Sequence, residues 1–279
     1  MTTWEITEPR KLDFDSDVTR LDVSLFGGRL SVVGTDGPPR VEVAATAERP
    51  LVVALDGGRL TIRHDLPSPW PGVLAPLWWW LRGRNLTGVD ISVAVPYRTA
   101  TALKLMSGPV VVSALRGELS VECTSGRVSL LGVAGTVRAA VVSGAIEALG
   151  CAGELTLDTV SGEITLADSA VRRLRASTIS GALTADLDNP PDDSEITLST
   201  TSGELTIRVR EDSDLTVRLS AAHGRVTSNF PGLSGQGRWG AAVHGVLGAG
   251  TGRLSADAMS GNIALLSRPV DPDFEADES

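Results

Sequence analysis

Two cysteines, two lysines, aromatic residues at only 4% and no run of eighteen apolar residues are what this 279-residue chain has least of. Each scarcity excludes something. A phosphate-binding face needs clustered lysine and arginine, whereas here the formal charge is −9 and basic residues are scattered singly, which excludes nucleic acid as a partner. Without eighteen consecutive apolar residues there is no candidate membrane-spanning helix. The start, Met1-Thr-Thr-Trp-Glu-Ile6, lacks a basic stretch followed by an apolar core. No signal peptide is therefore expected, and the expected address is cytoplasmic, at most peripheral to a membrane. Two cysteines fit that address. With aromatics so few in a chain that is 42% hydrophobic, the core must come from Val, Leu, Ala and Thr, which suits many short stacked strands better than helices.

What is present is a repeat. Between Ser107 and Leu187 glycine recurs at 108, 117, 126, 135, 144, 153 and 162, nine apart each time. After every one comes Gly-x-apolar-x-apolar, as in Gly126-Arg-Val-Ser-Leu130 and Gly162-Glu-Ile-Thr-Leu166. That is a strand with one buried face. Alternate glycines follow serine, at Ser107, Ser125, Ser143 and Ser161, so the true unit is eighteen residues, two strands and two turns. Such a unit is too small to bury its own apolar face, and neighbours must stack. One coil per repeat, at roughly 4.8 Å per coil, puts Val128, Ile146 and Ile164 above one another inside, with Leu119, Val137 and Leu155 on the opposite wall. Arg127, Glu154, Glu163, Ser129 and Thr156 then face water. Glycine marks the corners, where positive φ is needed, and the serine beside it is corner chemistry rather than a nucleophile.

The expected fold is all-β: a single-stranded parallel β-solenoid, related to β-helices and β-rolls, with an N-terminal β layer capping one end. Residues 1–100 are read as that cap, 101–268 as the solenoid and 269–279 as a disordered acidic tail. In the cap, Gly28-Arg-Leu-Ser-Val32 and Gly58-Arg-Leu-Thr-Ile62 carry the repeat pattern irregularly spaced, with a turn at Asp36-Gly-Pro-Pro39. Terminal repeats are atypical because a bare last coil would expose a sheet edge and an open core. Beyond residue 170 the rhythm loosens through insertions such as Asp188-Asn-Pro-Pro-Asp-Asp193. The Gly-rich run from Gly232 to Gly252 reads as a hairpin-like excursion before Arg253 to Leu265 complete the last coil.

Catalytic and metal chemistry find little support. The calcium-binding nonapeptide β-roll also uses nine-residue half-coils, but its turns carry aspartate, and these carry Ser, Thr, Arg and Ala. His64, His223 and His244 have no metal-ligand spacing, and Cys123 and Cys151, assigned to the core of different coils, are expected as free thiols. No metal, cofactor or catalytic residue is expected. Glu118 and Glu154 share a repeat position two coils apart with Thr136 between them, about 10 Å by the coil rise, near the upper end of the range for an inverting pair in a polysaccharide-cleaving β-helix enzyme. Solvated surface is the simpler reading of both. A self-assembling polymer like the bactofilins needs open, flat ends, which the N-terminal layer and charged tail would block. A non-enzymatic interaction scaffold, monomeric or a small oligomer, is preferred over both alternatives.

The chain resembles a large bacterial β-strand-repeat family of unknown function labelled "putative adhesin". Carrying the resemblance are the strand Val89 to Pro96, Met106-Ser-Gly-Pro-Val-Val-Val112, the Val-Ser-Gly-Glu-Ile-Thr-Leu166 type of repeat, and the closing Gly250 to Leu265. It covers roughly residues 18–267. The resemblance implies a β-helix-like solenoid without established catalytic residues, linked in some members to the cell envelope.

Residues 66–86 break every pattern around them, holding four of the six tryptophans. Prolines at 67, 69, 71 and 76 exclude a long helix, and the apolar run from Gly72 to Leu81 is too short to span a bilayer. Either Trp70, Trp78, Trp79 and Trp80 plug the solenoid's N-terminal end, or they enter a membrane interface or a protein partner's groove with Arg82 and Arg84 meeting anionic groups. Three consecutive tryptophans cannot all face one core. This makes the segment the leading candidate site. Sedimentation with anionic liposomes, comparing wild type with a Trp78→Ser, Trp79→Ser, Trp80→Ser variant, separates the readings. A docking loop loses co-sedimentation on mutation, whereas a plug only melts earlier.

Overall fold

Alternating apolar and polar residues bury one face of a strand but leave both edges unpaired, so each strand here is held by neighbours from adjoining turns of chain. The computed structural model describes residues 2–45, 50–64, 89–188, 191–233, 235 and 241–269, and every regular element among them is a strand. The chain divides into two units, Met1–Ser129 and Leu130–Ser279.

The first unit holds β1 (Thr2–Ile6), β2 (Arg10–Asp13), β3 (Arg20–Leu25), β4 (Gly28–Thr35), β5 (Arg40–Ala45), β6 (Leu51–Asp56), β7 (Arg59–His64), β8 (Val89–Pro96), β9 (Ala100–Ser107), β10 (Val110–Ser113) and β11 (Arg116–Ser125). They form two ladders. In one, β11 pairs with β9, β9 with β3 and β3 with β7, all parallel, and antiparallel β6 and β1 follow. In the other, β10, β4 and β8 are parallel and antiparallel β5 and β2 follow. The coil made by β3 and β4 is therefore threaded between β7/β8 and β9/β10. Leu21 stacks between Leu60 and Thr101, and Leu30 between Ile91 and Val110, all buried.

After β12 (Val128–Leu131), the second unit holds β13 (Ala134–Ser143), β14 (Ile146–Leu149), β15 (Ala152–Ser161), β16 (Ile164–Ser180), β17 (Leu183–Leu187), β18 (Glu195–Ser202), β19 (Leu205–Arg210), β20 (Leu215–His223), β21 (Val226–Ser228), β22 (Ala241–Leu247), β23 (Gly252–Ser260) and β24 (Ile263–Arg268). The eighteen-residue repeat is literal at its start: Val137 pairs with Leu155 and Ile146 with Ile164, and all four are buried. A bulge where Glu154 meets Arg173 admits one extra residue, so the next serine corner comes nineteen residues on, at Ser180. Of the insertion between β17 and β18, residues 191–194 lie outside the strands and residues 189–190 are outside the described residues.

Two expectations need correction. The architecture is all-β and solenoid-like, but it is not uniformly parallel. The chain order is also not the coil order, because β23/β24 lie between β18/β19 and β20/β21 instead of completing the last coil. The antiparallel strands explain the first difference. A coil with no further coil beside it exposes a row of N–H and C=O groups, and β22, returning against β20, covers that row. β6 with β1, and β5 with β2, do the same in the first unit.

The corner assignment also needs correction for alternate glycines: Gly117, Gly135 and Gly153 lie inside β11, β13 and β15, and the second row of corners falls elsewhere. Gly132 and Gly150 have φ of 59° and 63°, and Asp168, eighteen residues further, has φ of 46°. After each comes an inward-pointing residue: Val133, Cys151 and Ser169. Ser169 satisfies its buried hydroxyl by donating to the Ala167 carbonyl at 2.8 Å and accepting the Cys151 N–H at 3.0 Å. Both cysteines are free and buried, and loss of water around them pushes both thiols up from the ordinary value.

Candidate functional site

The exposed surface of one ladder of the second unit is written by register. Strands β13, β15, β16, β18, β23 and β20 lie side by side, and each outward position becomes a row running across the coils. One row alternates in charge. Arg173 Nη1 lies 2.6 Å from Glu154 and its Nε 3.5 Å from Glu195. These side chains are about half exposed, so the pairs contribute at most about 1 kcal/mol each. Asp158, Ser177, Ser199, Asp257 and Ser220 form a second row, in which the Ser177 hydroxyl donates to Asp158. Asp257 makes no ion pair among the described residues.

At the corner the strands end in Ser-Gly. Gly162, Gly181, Gly203 and Gly261 stack so closely that a Cβ on any of them would lie 1.8–1.9 Å from the carbonyl oxygen of the glycine below. The Gly181 N–H donates to the Ser202 carbonyl and the Gly203 N–H to that of Ser260. Serine thus contributes its backbone to the corner, and its side chain faces solvent. Just before it stands an apolar residue with nothing over it: Val142, Val160, Ile179 and Met259 are 45–60% exposed, with Thr201 and Ala222 at the same position in their coils. These make a ridge of aliphatic side chains on an otherwise polar face.

Beside the ridge runs a groove of about 450 Å³, its walls formed by Ile179 and Met259 and its floor by Ser177, Ser199, Ser220 and Asp257. Under it lies a row of inward threonines. Thr159 and Thr178 each donate to a corner carbonyl, of Gly144 and Gly162, at 3.4 Å. Thr200, next in the row and only 5% exposed, keeps its hydroxyl buried beneath the groove, without a hydrogen-bond partner among the described residues.

The tryptophan segment lies elsewhere in the sequence: Trp70, Trp78, Trp79, Trp80, Arg82 and Arg84 are outside the described residues, as are residues 270–279 of the expected tail. The other singled-out residues are not brought together. Glu118 is exposed on β11, and Glu154 is held by Arg173. His64 is buried on β7, its Nδ1 accepting the Phe26 N–H at 3.2 Å, whereas His223 and His244 are exposed. Among the described residues no three His, Cys, Asp or Glu side chains are grouped to hold a metal ion.

A family model for "Toastrack DUF4097" matches residues 41–266. The chain belongs to the Toastrack DUF4097 family. The family resemblance read from the repeats is thus established. The Toastrack chain also aligns with solved structures at low identity. A "putative adhesin" from Bacteroides fragilis NCTC 9343 is 12% identical over 93% of this chain and 98% of its own, with a TM-score of 0.47. A "putative cell adhesion protein" from Clostridium sporogenes ATCC 15579 is 11% identical over 94% and 100%, at 0.26. A "putative lipid binding protein" from Parabacteroides distasonis ATCC 8503 is 12% identical over 95% and 98%, at 0.33. No curated protein matches.

The ridge of this Toastrack protein had a signal in the sequence. Strict alternation makes the residue after an inward position polar, yet Val141-Val142, Thr159-Val160, Thr178-Ile179 and Ala258-Met259 each place an apolar side chain there, directly before Ser-Gly. The groove had no such signal, since its residues come from segments separated by the excursion through β22.

Proposed function

We propose that this protein is a non-enzymatic, adhesin-like interaction scaffold whose second unit presents a rigid, regular face to a partner at the cell envelope. The observation that carries the reading is the aliphatic ridge. Val142, Val160 and Ile179 stand in three successive coils and Met259 in the coil beyond Thr201, all four solvent-exposed and fixed by backbone ladders on both sides. An aligned apolar row of this kind lowers solubility and gains nothing for the fold, so its value lies in contact with something else. The capping strands β22, β6, β1, β5 and β2 support a monomer or small oligomer over an end-to-end polymer, because they occupy edges that a polymer would pair. In this reading the body of each unit is a parallel solenoid with antiparallel caps.

Replacing Val142, Val160, Ile179 and Met259 together by serine tests the proposal. Exposed substitutions of this kind change stability by no more than about 0.5 kcal/mol each, so the variant is expected to fold. Binding of fluorescently labelled protein to a bacterial envelope fraction should fall by at least tenfold. Equal binding by the folded variant and wild type would remove the ridge from the function.

A further inference from the structure

The two ladders of the second unit do not end together. On one, β22 adds a last antiparallel strand beside β20. On the other, β21 pairs with β24, and among the described residues nothing pairs with its far side. Which groups that edge offers follows from the parallel pattern, in which alternate residues turn both backbone groups to one neighbour. The Ile263 N–H donates to the Arg225 carbonyl at 2.8 Å and the Asn229 N–H to the Leu265 carbonyl at 3.1 Å, so Arg225, Thr227 and Asn229 face β24. The N–H and C=O of Val226 and Ser228 therefore point away from it. They border a cleft of about 730 Å³, to which Phe230, Leu233 and, from β22, Val243 give an apolar wall. Arg225 is the one charged residue on its lining. It is exposed, stands directly before β21 and makes no ion pair among the described residues.

We propose that this cleft takes up a short extended peptide as an added strand, antiparallel to β21, with an acidic C-terminal end at Arg225. A free edge supplies main-chain hydrogen bonds, and the pockets beside it supply selectivity. Val226 and Ser228 each exchange both backbone bonds with the residue opposite, as in the hydrogen-bonded pairs of an antiparallel ladder, and Thr227 between them forms a non-bonded pair. Peptide residues opposite Val226 and Ser228 share their inward face, beside Phe230 and Val243, and have to be apolar. The antiparallel direction brings the peptide's last residue to the start of β21, where the guanidinium of Arg225 receives a carboxylate. An edge this short resists indiscriminate pairing, so selection falls to the apolar wall and the arginine. Charge and area decide against a second copy of this chain. The few hydrogen bonds of a three-residue edge leave most of a stable interface to be supplied elsewhere, and two chains of formal charge −9 repel. Arg225 likewise disfavours a basic peptide.

The test is fluorescence anisotropy of a labelled Thr-Val-Thr-Val-Glu peptide titrated with the full chain, against the same peptide ending in lysine amide. In the proposed register its valines lie opposite Ser228 and Val226 and its glutamate opposite Arg225. Wild type is expected to bind the acidic peptide about tenfold more tightly than the lysine one. The bound peptide should also slow hydrogen exchange at the Val226 and Ser228 N–H groups. Arg225→Glu should weaken binding of the acidic peptide about tenfold and leave the melting temperature unchanged, since the side chain is exposed. Val226→Pro should weaken it several-fold. It removes an outward N–H from the first residue of an edge strand, where proline costs no ladder bond. Absence of binding by wild type, equal binding by Arg225→Glu, unchanged exchange at Val226 and Ser228 under saturating peptide, or a tighter hold on the lysine peptide would each overturn the proposal. So would a dimer in sedimentation that Val226→Pro dissolves, which would give the edge to a second copy. The cleft uses none of the ridge residues. The variant with Val142, Val160, Ile179 and Met259 changed to serine should therefore bind the peptide like wild type, and either reading can fail without the other.

Discussion

Gly181→Ala is expected to destabilise the second unit by about 4 kcal/mol, whereas Gly150→Ala in the same unit costs about 1–2 kcal/mol. The two glycines sit at different corners and are needed for different reasons. At Gly181, φ is 146°, a conformation that costs an L-residue on the order of 1–3 kcal/mol. A Cβ there would also lie 1.9 Å from the Gly162 carbonyl oxygen and 2.7 Å from its carbon. Backbone cannot give way as a flexible side chain does, so overpacking adds roughly 1–3 kcal/mol and the Gly181 N–H to Ser202 carbonyl bond is strained as well. At Gly150, φ is 63° with nothing within 4 Å of the added carbon. The chain supplies its own control, since Asp168 occupies the equivalent corner with φ of 46°. Only the left-handed penalty of about 1–2 kcal/mol remains there. Urea unfolding of both variants checks the difference. A folded domain has only about 5–15 kcal/mol in hand, so Gly181→Ala should show a much lower midpoint than wild type. Equal midpoints for the two variants would mean that the stacked glycine column is not a tight backbone contact.

Ile164→Ala should cost about 2–5 kcal/mol, and Ile164→Val about 0.5–1.5 kcal/mol. Ile164 is fully buried and lies in a column between Ile146 and Leu183, one from each adjoining coil. Removing its outer carbons leaves a hole whose lining belongs to three coils held in register by their backbones, so the walls cannot collapse inward. Val160→Ala, four residues away on the exposed ridge, is expected to shift stability by no more than about 0.5 kcal/mol. Thermal or urea unfolding of the three variants gives the ranking. A cost at Val160 equal to that at Ile164 would place the ridge inside a core and remove it as a contact surface.

Much of the fold was legible because the repeat is local. Side chains alternate with period two, so Gly-x-apolar-x-apolar names the inward residues of the repeat strands, and Val137, Leu155, Ile146 and Ile164 are buried as that pattern requires. The corner role of Ser-Gly was likewise readable, but its stronger cause was not. The glycines are required by the close passage of one coil over the next, as well as by φ, and the distance between two segments 18 to 58 residues apart is not written in either. The candidate site divides in the same way. Val142, Val160, Ile179 and Met259 interrupt an alternation and could have been found by that test, whereas nothing near Thr200 in the chain distinguishes it from Thr178.

By itself the sequence determined that the chain is all-β, which side chains of the repeat face inward and where the Ser-Gly corners fall, since these follow from period-two alternation and from glycine at tight turns, whereas the second turn of each coil, at Gly132, Gly150 and Asp168, was not written in that pattern. Tertiary structure alone decided the order in which the coils stack. Gly28-Arg-Leu-Ser-Val32, Gly58-Arg-Leu-Thr-Ile62 and Ser260-Gly-Asn-Ile-Ala-Leu265 carry interchangeable apolar patterns, so any of these coils could lie against any other. In the order adopted, β3/β4 run between β7/β8 and β9/β10 and β23/β24 between β18/β19 and β20/β21, and antiparallel β22, β6 and β5 cover the edges of β20, β7 and β8 that no coil covers. That threading also places Asp257 and Met259 beside Ser199 and Thr200, so the groove exists only in the folded chain.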